Sequence, residues 1–115
     1  MPNLRDLGRA AEDAAAAHLI GQGYTIVTRR YKARHGEIDL VALDGDLLVF
    51  VEVKRRDVPG YLPEASVGKK KRQALFRAGQ QYLREVADAP ERAVRFDLIA
   101  IDDQGLRHRK DLMAP

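Results

Sequence analysis

Apolar positions along this chain recur first at helical spacing and then at a period of two. Leu4, Leu7, Ala11, Ala14, Ala15, His18 and Leu19 form one stripe, which predicts a helix from Leu4 to about Gln22, ended by Gly21 and Gly23. Tyr24 to Ala33 is β-branched and alternates toward polar residues, so it predicts a strand. Gly36 to Arg56 reads as two strands joined by a tight turn. Arg56 to Ala65 holds two prolines and a glycine and reads as a loop. Ser66 is the expected N-cap of a second helix of about twenty residues, running to about Ala87. Val67, Ala74, Leu75, Ala78 and Leu83 supply its stripe, with Tyr82 beside it. Val94 to Asp102 is a strongly apolar strand, Asp103-Gln104-Gly105 turns the chain, and a last short strand follows. The strands of the hairpin are apolar at both parities, which implies cover on both faces. The expectation is an α/β fold with an αβββαβ order, a mixed central sheet flanked by helices, in a single domain over residues 1–115.

The hairpin carries charges that this pattern does not explain. Side chains alternate faces, so Asp39 shares a face with Val41 and Leu43, while Glu52 and Lys54 share one with Leu48 and Phe50. A Gly45-Asp46 turn places Asp39 opposite Glu52; an Asp44-Gly45 turn places it on the diagonal. Either register brings Asp39, Glu52 and Lys54 onto one face; only an odd-length loop separates them. Two carboxylates about 5 Å apart repel, and a shared proton, a lysine or a metal cation must compensate. Oxygen donors of this kind suit Mg²⁺ or Mn²⁺, with Lys54 placed to orient water or neutralise a phosphate. The competing reading is a solvated strand face with weak salt bridges. Neighbours Val49, Phe50, Val51 and Val53 weaken it, because they mark a central strand where unpaired charge is costly.

These residues resemble a known pattern. Asp39, then Glu52-Val53-Lys54, in this element order, is similar to the PD-(D/E)xK nuclease superfamily. More closely, GEIDLVA, LLVFVEVKRR, SVGKKKRQAL and RFDLIAI resemble the YraN-like family of small bacterial endonuclease-like proteins, itself similar to Holliday-junction resolvases and restriction endonucleases. The resemblance runs from Gly8 to about Leu112. It implies a restriction-endonuclease-like core, Asp39 and Glu52 as ligands of Mg²⁺ or Mn²⁺, the Val53 backbone carbonyl as a further ligand, and Lys54 as the water-positioning or charge-neutralising lysine. Glu12 matches a first-helix acid that approaches the metal in related nucleases; the alternative is a surface glutamate beside the alanine stripe. Gly36 and Glu37 match the family's G-E pair, with Glu37 expected on the face opposite Asp39. Ile38 stands where the superfamily has proline, and Arg30 where the family tends to have asparagine.

Composition refines the partner. Lys and Arg number 20 against 17 Asp and Glu, a small excess that permits a polyanion without demanding one. The cations cluster at Lys69, Lys70, Lys71 and Arg72, at Arg55 and Arg56, and at Arg29, Arg30, Lys32 and Arg34. Four cations at a helix start oppose its dipole, a conflict that suggests phosphate contact; a solvated helix end is the alternative. Few aromatics interleave with them, so backbone phosphates fit better than stacked bases. Gln80, Gln81 and Tyr82 read chiefly as helix surface, His18 as a core histidine, His35 as a possible flank of the substrate, and Asp97 as structural. No cysteine is present, which excludes thiolate chemistry and disulfides. Charges in the first twenty residues argue against a signal peptide, and a cytoplasmic protein is expected. The leading expectation is a metal-dependent endonuclease-like protein acting on DNA, branched DNA included, with a homodimer as one option. A non-catalytic nucleic-acid-binding module on the same fold is the second reading, and a protein-assembly factor the third.

Overall fold

A computed structural model describes residues 3–56 and 62–112, apart from the side chains at positions 4–6 and 66. The elements are α1 (Leu4–Gly21), β1 (Thr25–Lys32), β2 (Glu37–Asp44), β3 (Leu47–Arg55), a 3₁₀ turn (Pro63–Ser66), α2 (Lys69–Glu85), β4 (Val94–Asp102) and β5 (Gly105–Arg109). The five strands form one sheet in sequence order. β3 is its centre and pairs antiparallel with β2 and parallel with β4; β1 and β5 are antiparallel edges. The parallel pair requires a long crossover, and α2 supplies it. The expected α/β architecture, a mixed sheet between two helices, is the one observed.

Each helix covers one face of the sheet. Ala15, Ala16 and Leu19 of α1 pack on Leu40, Ala42, Val49, Val51 and Ile99. Leu75, Ala78, Tyr82 and Leu83 of α2 pack on Val41, Leu48, Phe50 and Phe96. The double cover explains why β3 is apolar at both parities. On α1, Ala14 is exposed and Ala16 is buried, so the true stripe is rotated from the expected one. Short alanines let the helix turn either way on their spacing alone, and contact with the sheet decides. On α2, Gly68 rather than Ser66 is the N-cap, and no side chain caps the helix. Ser66 ends the 3₁₀ turn instead. Of the loop expected from Arg56 to Ala65, residues 57–61 lie outside the described residues.

The β2–β3 hairpin turns on Gly45-Asp46, with Asp44 opposite Leu47 and Leu40 opposite Val51. Gly45 takes φ +60°, the left-handed region that glycine enters at no steric cost at the first position of a two-residue hairpin turn. The first of the two expected registers is therefore the real one, and one step further it sets Asp39 against Glu52. Regular alternation fails just there. Ile38 joins the α2 side, whereas Leu40, of the same parity, joins the α1 side. On β1, Arg29 and Arg30 are both exposed, and Arg30 takes φ +56°. A left-handed backbone costs a non-glycine residue about 1–2 kcal/mol.

Gly79 sits where α2 meets the sheet most closely. A Cβ there would lie 2.8 Å from the Phe96 ring and 2.9 Å from that of Phe50. Alanine's helix propensity favours the substitution by about 1 kcal/mol. Overpacking two buried rings costs more, about 1–3 kcal/mol. Gly79→Ala is therefore expected to lower Tm in thermal unfolding; an unchanged or raised Tm contradicts this packing.

Candidate active site

Asp39 and Glu52 meet at the end of the hairpin nearest the break in alternation. Glu52 is 5% exposed, and Asp39 is half-buried. The Val53 N–H donates to Asp39 Oδ2 at 2.7 Å, fixing one carboxylate oxygen across the strand pair. The two carboxyls act on each other's ionisation. Burial first, and the Glu52 charge second, push the Asp39 carboxyl up to about 7, against the Val53 hydrogen bond; Glu37 and Glu12 add to the rise. Burial likewise raises Glu52, although Lys71 and Lys54 oppose it. Lys71 Nζ lies 3.3 Å from Glu52 Oε1.

Asp39 borders two cavities. A cleft of about 570 Å³ on the α1 side is lined by Glu12, Arg30, Glu37, Asp39, Val53, Lys54, Arg55 and Arg56, with Leu7, Gly8 and Ala11 as its apolar wall. A smaller one of about 90 Å³ on the α2 side is lined by Gly36, Glu37, Asp39, Glu52, Lys71, Ala74 and Leu75. Thus Lys54 lines the larger space and Glu52 the smaller, with Asp39 common to both. Glu37, expected on the opposite face, lines both as well: two positions from Asp39 on one strand, it has that residue's parity.

Glu12 is buried at the rim of the larger cleft, but its oxygens are taken. Arg29 Nε lies 3.1 Å from Oε1, and Arg30 Nε donates to Oε2 at 2.8 Å. It acts on Asp39 through charge rather than by joining the pair. The Glu12 pairing also gives Arg30 a structural task, and its left-handed backbone gives a physical reason for asparagine at that position, since asparagine tolerates that region better than most residues. Lys71, expected on phosphate, faces Glu52. The signal lay in its spacing: it precedes the buried Leu75 by four residues and Ala78 by seven. Lys69 points to another groove, shared with Arg72, Phe76 and Arg77, and Lys70 is exposed. Arg55 and Arg56 line the large cleft, while Arg34 lines a separate cavity against α2.

The donor set fits a small divalent cation. Two hard oxygen donors, held together and reluctant to ionise side by side, gain from any cation placed between them. Among the described residues no third His, Asp or Glu completes a metal-holding cluster with them. Mg²⁺ commonly needs only one or two carboxylates, with water and phosphate oxygens completing its shell.

A fold of two helices on a mixed sheet, with paired acids at the end of its central hairpin, defines the class to which known relatives can be compared. The chain belongs to the uncharacterised protein family UPF0102, whose signature matches residues 11–101, and this is the YraN-like family that the motifs resemble. A UPF0102 protein of Halorhodospira halophila is 44% identical over 93% of this chain and 86% of its own length. One from Streptomyces griseus is 44% identical over 83% and 81%. One from Persephonella marina is 37% identical over 90% of each. Among the described residues no helix is long and apolar enough to cross a membrane.

The raised Asp39 carboxyl has a measurable consequence. Unfolded, it ionises near 3.8; folded, it holds its proton until about 7. Between these values the native state binds more protons than the unfolded state, so stability falls as pH rises from about 4 through 7. Asp39→Asn keeps an acceptor for Val53 and removes the charge. In metal-free protein at pH 8 it is expected to raise stability by about 2–4 kcal/mol in urea unfolding and to flatten the pH dependence. Loss of stability at pH 8 contradicts the electrostatic picture.

Proposed function

We propose that this protein is a divalent-metal-dependent nuclease of the PD-(D/E)xK type, hydrolysing phosphodiester bonds in DNA. One observation carries the reading: two half-buried to buried carboxyls, Asp39 and Glu52, share the end of a central hairpin with raised proton affinities, and Asp39 opens onto a cleft lined by Lys54, Arg55 and Arg56 while Glu52 opens onto the smaller cavity beside Lys71. An acid pair kept only for stability is better replaced by apolar residues or a complete ion pair. Asp39 and Glu52 would hold Mg²⁺ or Mn²⁺, and the Val53 carbonyl would be a further ligand. Such an ion would supply Lewis-acid polarisation of a phosphoryl oxygen and a more acidic water.

The chain's own groups do the rest. The Val53 N–H keeps the Asp39 carboxylate oriented, so no side-chain reordering is needed when substrate arrives. Lys54, from the same strand as Glu52, offers its ammonium to the attacking water or to a phosphate oxygen, where negative charge builds. Arg55 and Arg56 hold flanking phosphates as forked donors. Lys71 neutralises Glu52 before substrate binds and offers a second ammonium at the phosphate afterwards. That same Lys71–Glu52 pair favours one other reading, a binding module on this fold in which a lysine stands permanently where a cation would act.

Cleavage assays separate the two. With Mn²⁺ and a set of linear, flapped and branched DNAs, Asp39→Ala and Glu52→Ala are each expected to reduce cleavage by about a hundredfold or more, with circular dichroism unchanged. Lys54→Ala is expected to reduce it comparably. Full activity in both acid variants refutes the nuclease; salt-sensitive binding with no cleavage under any divalent ion favours the binding module.

A further inference from the structure

Beyond Lys71, which serves the acid pair, α2 carries two cations that no assigned role uses, Arg77 and Arg84. Lys71, Ala74, Arg77, Gln81 and Arg84 lie within about 140° of one another around the helix, on the side facing the β1–β2 turn. Past Ala74 this strip forms one wall of a cavity of about 190 Å³, whose other wall is Arg34 and His35. The turn is fixed to the helix at two points. The Arg34 N–H donates to Gln81 Oε1 at 2.9 Å. A Cβ on Gly36 would lie 2.8 Å from the Ala74 carbonyl oxygen, so turn and helix backbones are in direct contact. Gln81 also donates to Glu85, the one acid lining the cavity. The guanidinium groups of Arg34, Arg77 and Arg84 have no carboxylate partner among the described residues, in a chain where Arg29, Arg30, Arg95 and Arg107 are all ion-paired.

We infer that this strip is the track for one nucleic-acid strand leaving the acid pair, with Arg34, Arg77 and Arg84 as its phosphate contacts. The inference rests on the phosphodiester reading of Asp39 and Glu52. The spacing suits the ligand. Arg77 lies about 9 Å along the helix from Lys71, and Arg84 about 10 Å further. The axial rise is about 3.4 Å per nucleotide, and because a strand winds round that axis its neighbouring phosphates stand about twice as far apart, so these contacts fall one to two nucleotides apart. Guanidinium forks match phosphate oxygens in geometry as well as charge. The cavity is polar, with two glutamine amides and a histidine between the arginines, and it has no apolar wall on which a protein side chain would anchor. A solvated face needs no rigid turn held against it, whereas a track does.

The test is the salt dependence of binding to a fluorescent 30-base-pair duplex and a 30-nucleotide single strand, in EDTA so that cleavage plays no part. The variant is Arg77→Ala/Arg84→Ala; both residues are exposed, so the fold tolerates the change. Arg109→Ala/Lys110→Ala removes the same charge at the end of β5. The strip variant is expected to bind at least about tenfold more weakly, and the slope of log K against log salt on the duplex is expected to fall by about two. The control variant is expected to stay close to the native protein. Equal weakening in both variants, or an unchanged strip variant, overturns the track and leaves the acid pair untouched. Competition by polyglutamate as strong as by DNA also overturns it, in favour of an acidic protein. Strip-dependent binding by a protein that cleaves nothing supports the track while counting against the nuclease.

Discussion

Two carboxyls buried side by side cost free energy that the rest of the structure must offset. In this protein the constraint falls on Asp39 and Glu52, and the surrounding architecture can be understood through it. The Gly45-Asp46 turn fixes the register that brings them together. The central position of β3 removes Glu52 from water, and α2 places Lys71 3.3 Å from it. The Val53 N–H holds Asp39. On the neighbouring strand, Arg30 accepts a left-handed backbone and closes over Glu12, which keeps a third negative charge paired beside the other two. Strain and repulsion gathered at one point of a fold are characteristic of sites where chemistry is done.

A second buried acid in the same sheet shows what a purely structural carboxylate looks like here. Asp97 on β4 is fully buried, yet Arg95 grips both of its oxygens at 2.8 and 2.9 Å, His108 meets it at 2.8 Å and the Asp111 N–H donates to it. Arg95 in turn reaches Tyr24 and Asp44. These bonds from His108 and Arg95 hold its carboxyl below the usual range despite the burial. Asp39 has one backbone donor, a like-charged neighbour and a raised carboxyl. The contrast separates an acid that ties β4 to β5 from one left needing a cation.

Much of this was legible in the chain. A period of two marks a strand wherever one face differs from the other, so Asp39, Glu52 and Lys54 could be placed near one another without coordinates. Val94 to Asp102 stands in the structure with the bounds that its apolar run indicates. The turn remained ambiguous because Asp44-Gly45 and Gly45-Asp46 are both good turn dipeptides, and a shift of two residues leaves every side chain on the same face. What pattern could not carry was any departure from regularity. Ile38 and Leu40 share a parity yet face opposite helices, and Arg30 on the neighbouring strand takes a left-handed backbone. Glu12 stayed open between an acid near the metal and a surface glutamate because chain distance conceals Arg29 and Arg30, which its oxygens meet. Arg77 and Arg84 went unremarked because isolated arginines on a helix look like any solvated face until the Arg34–Gln81 contact is seen.

The metal-holding role of the acid pair is the point on which the functional reading turns, and proton release tests it most directly. Mn²⁺ would be titrated calorimetrically at pH 6.5 in two buffers of different ionisation enthalpy, with native protein, Asp39→Ala and Glu52→Ala. With the Asp39 carboxyl near 7, a cation bound between the two acids must displace a proton. The native protein should bind Mn²⁺ with a buffer-dependent enthalpy, and both variants should lose the binding. Binding that persists in both variants, or that releases no proton, would contradict the assignment of the metal to Asp39 and Glu52.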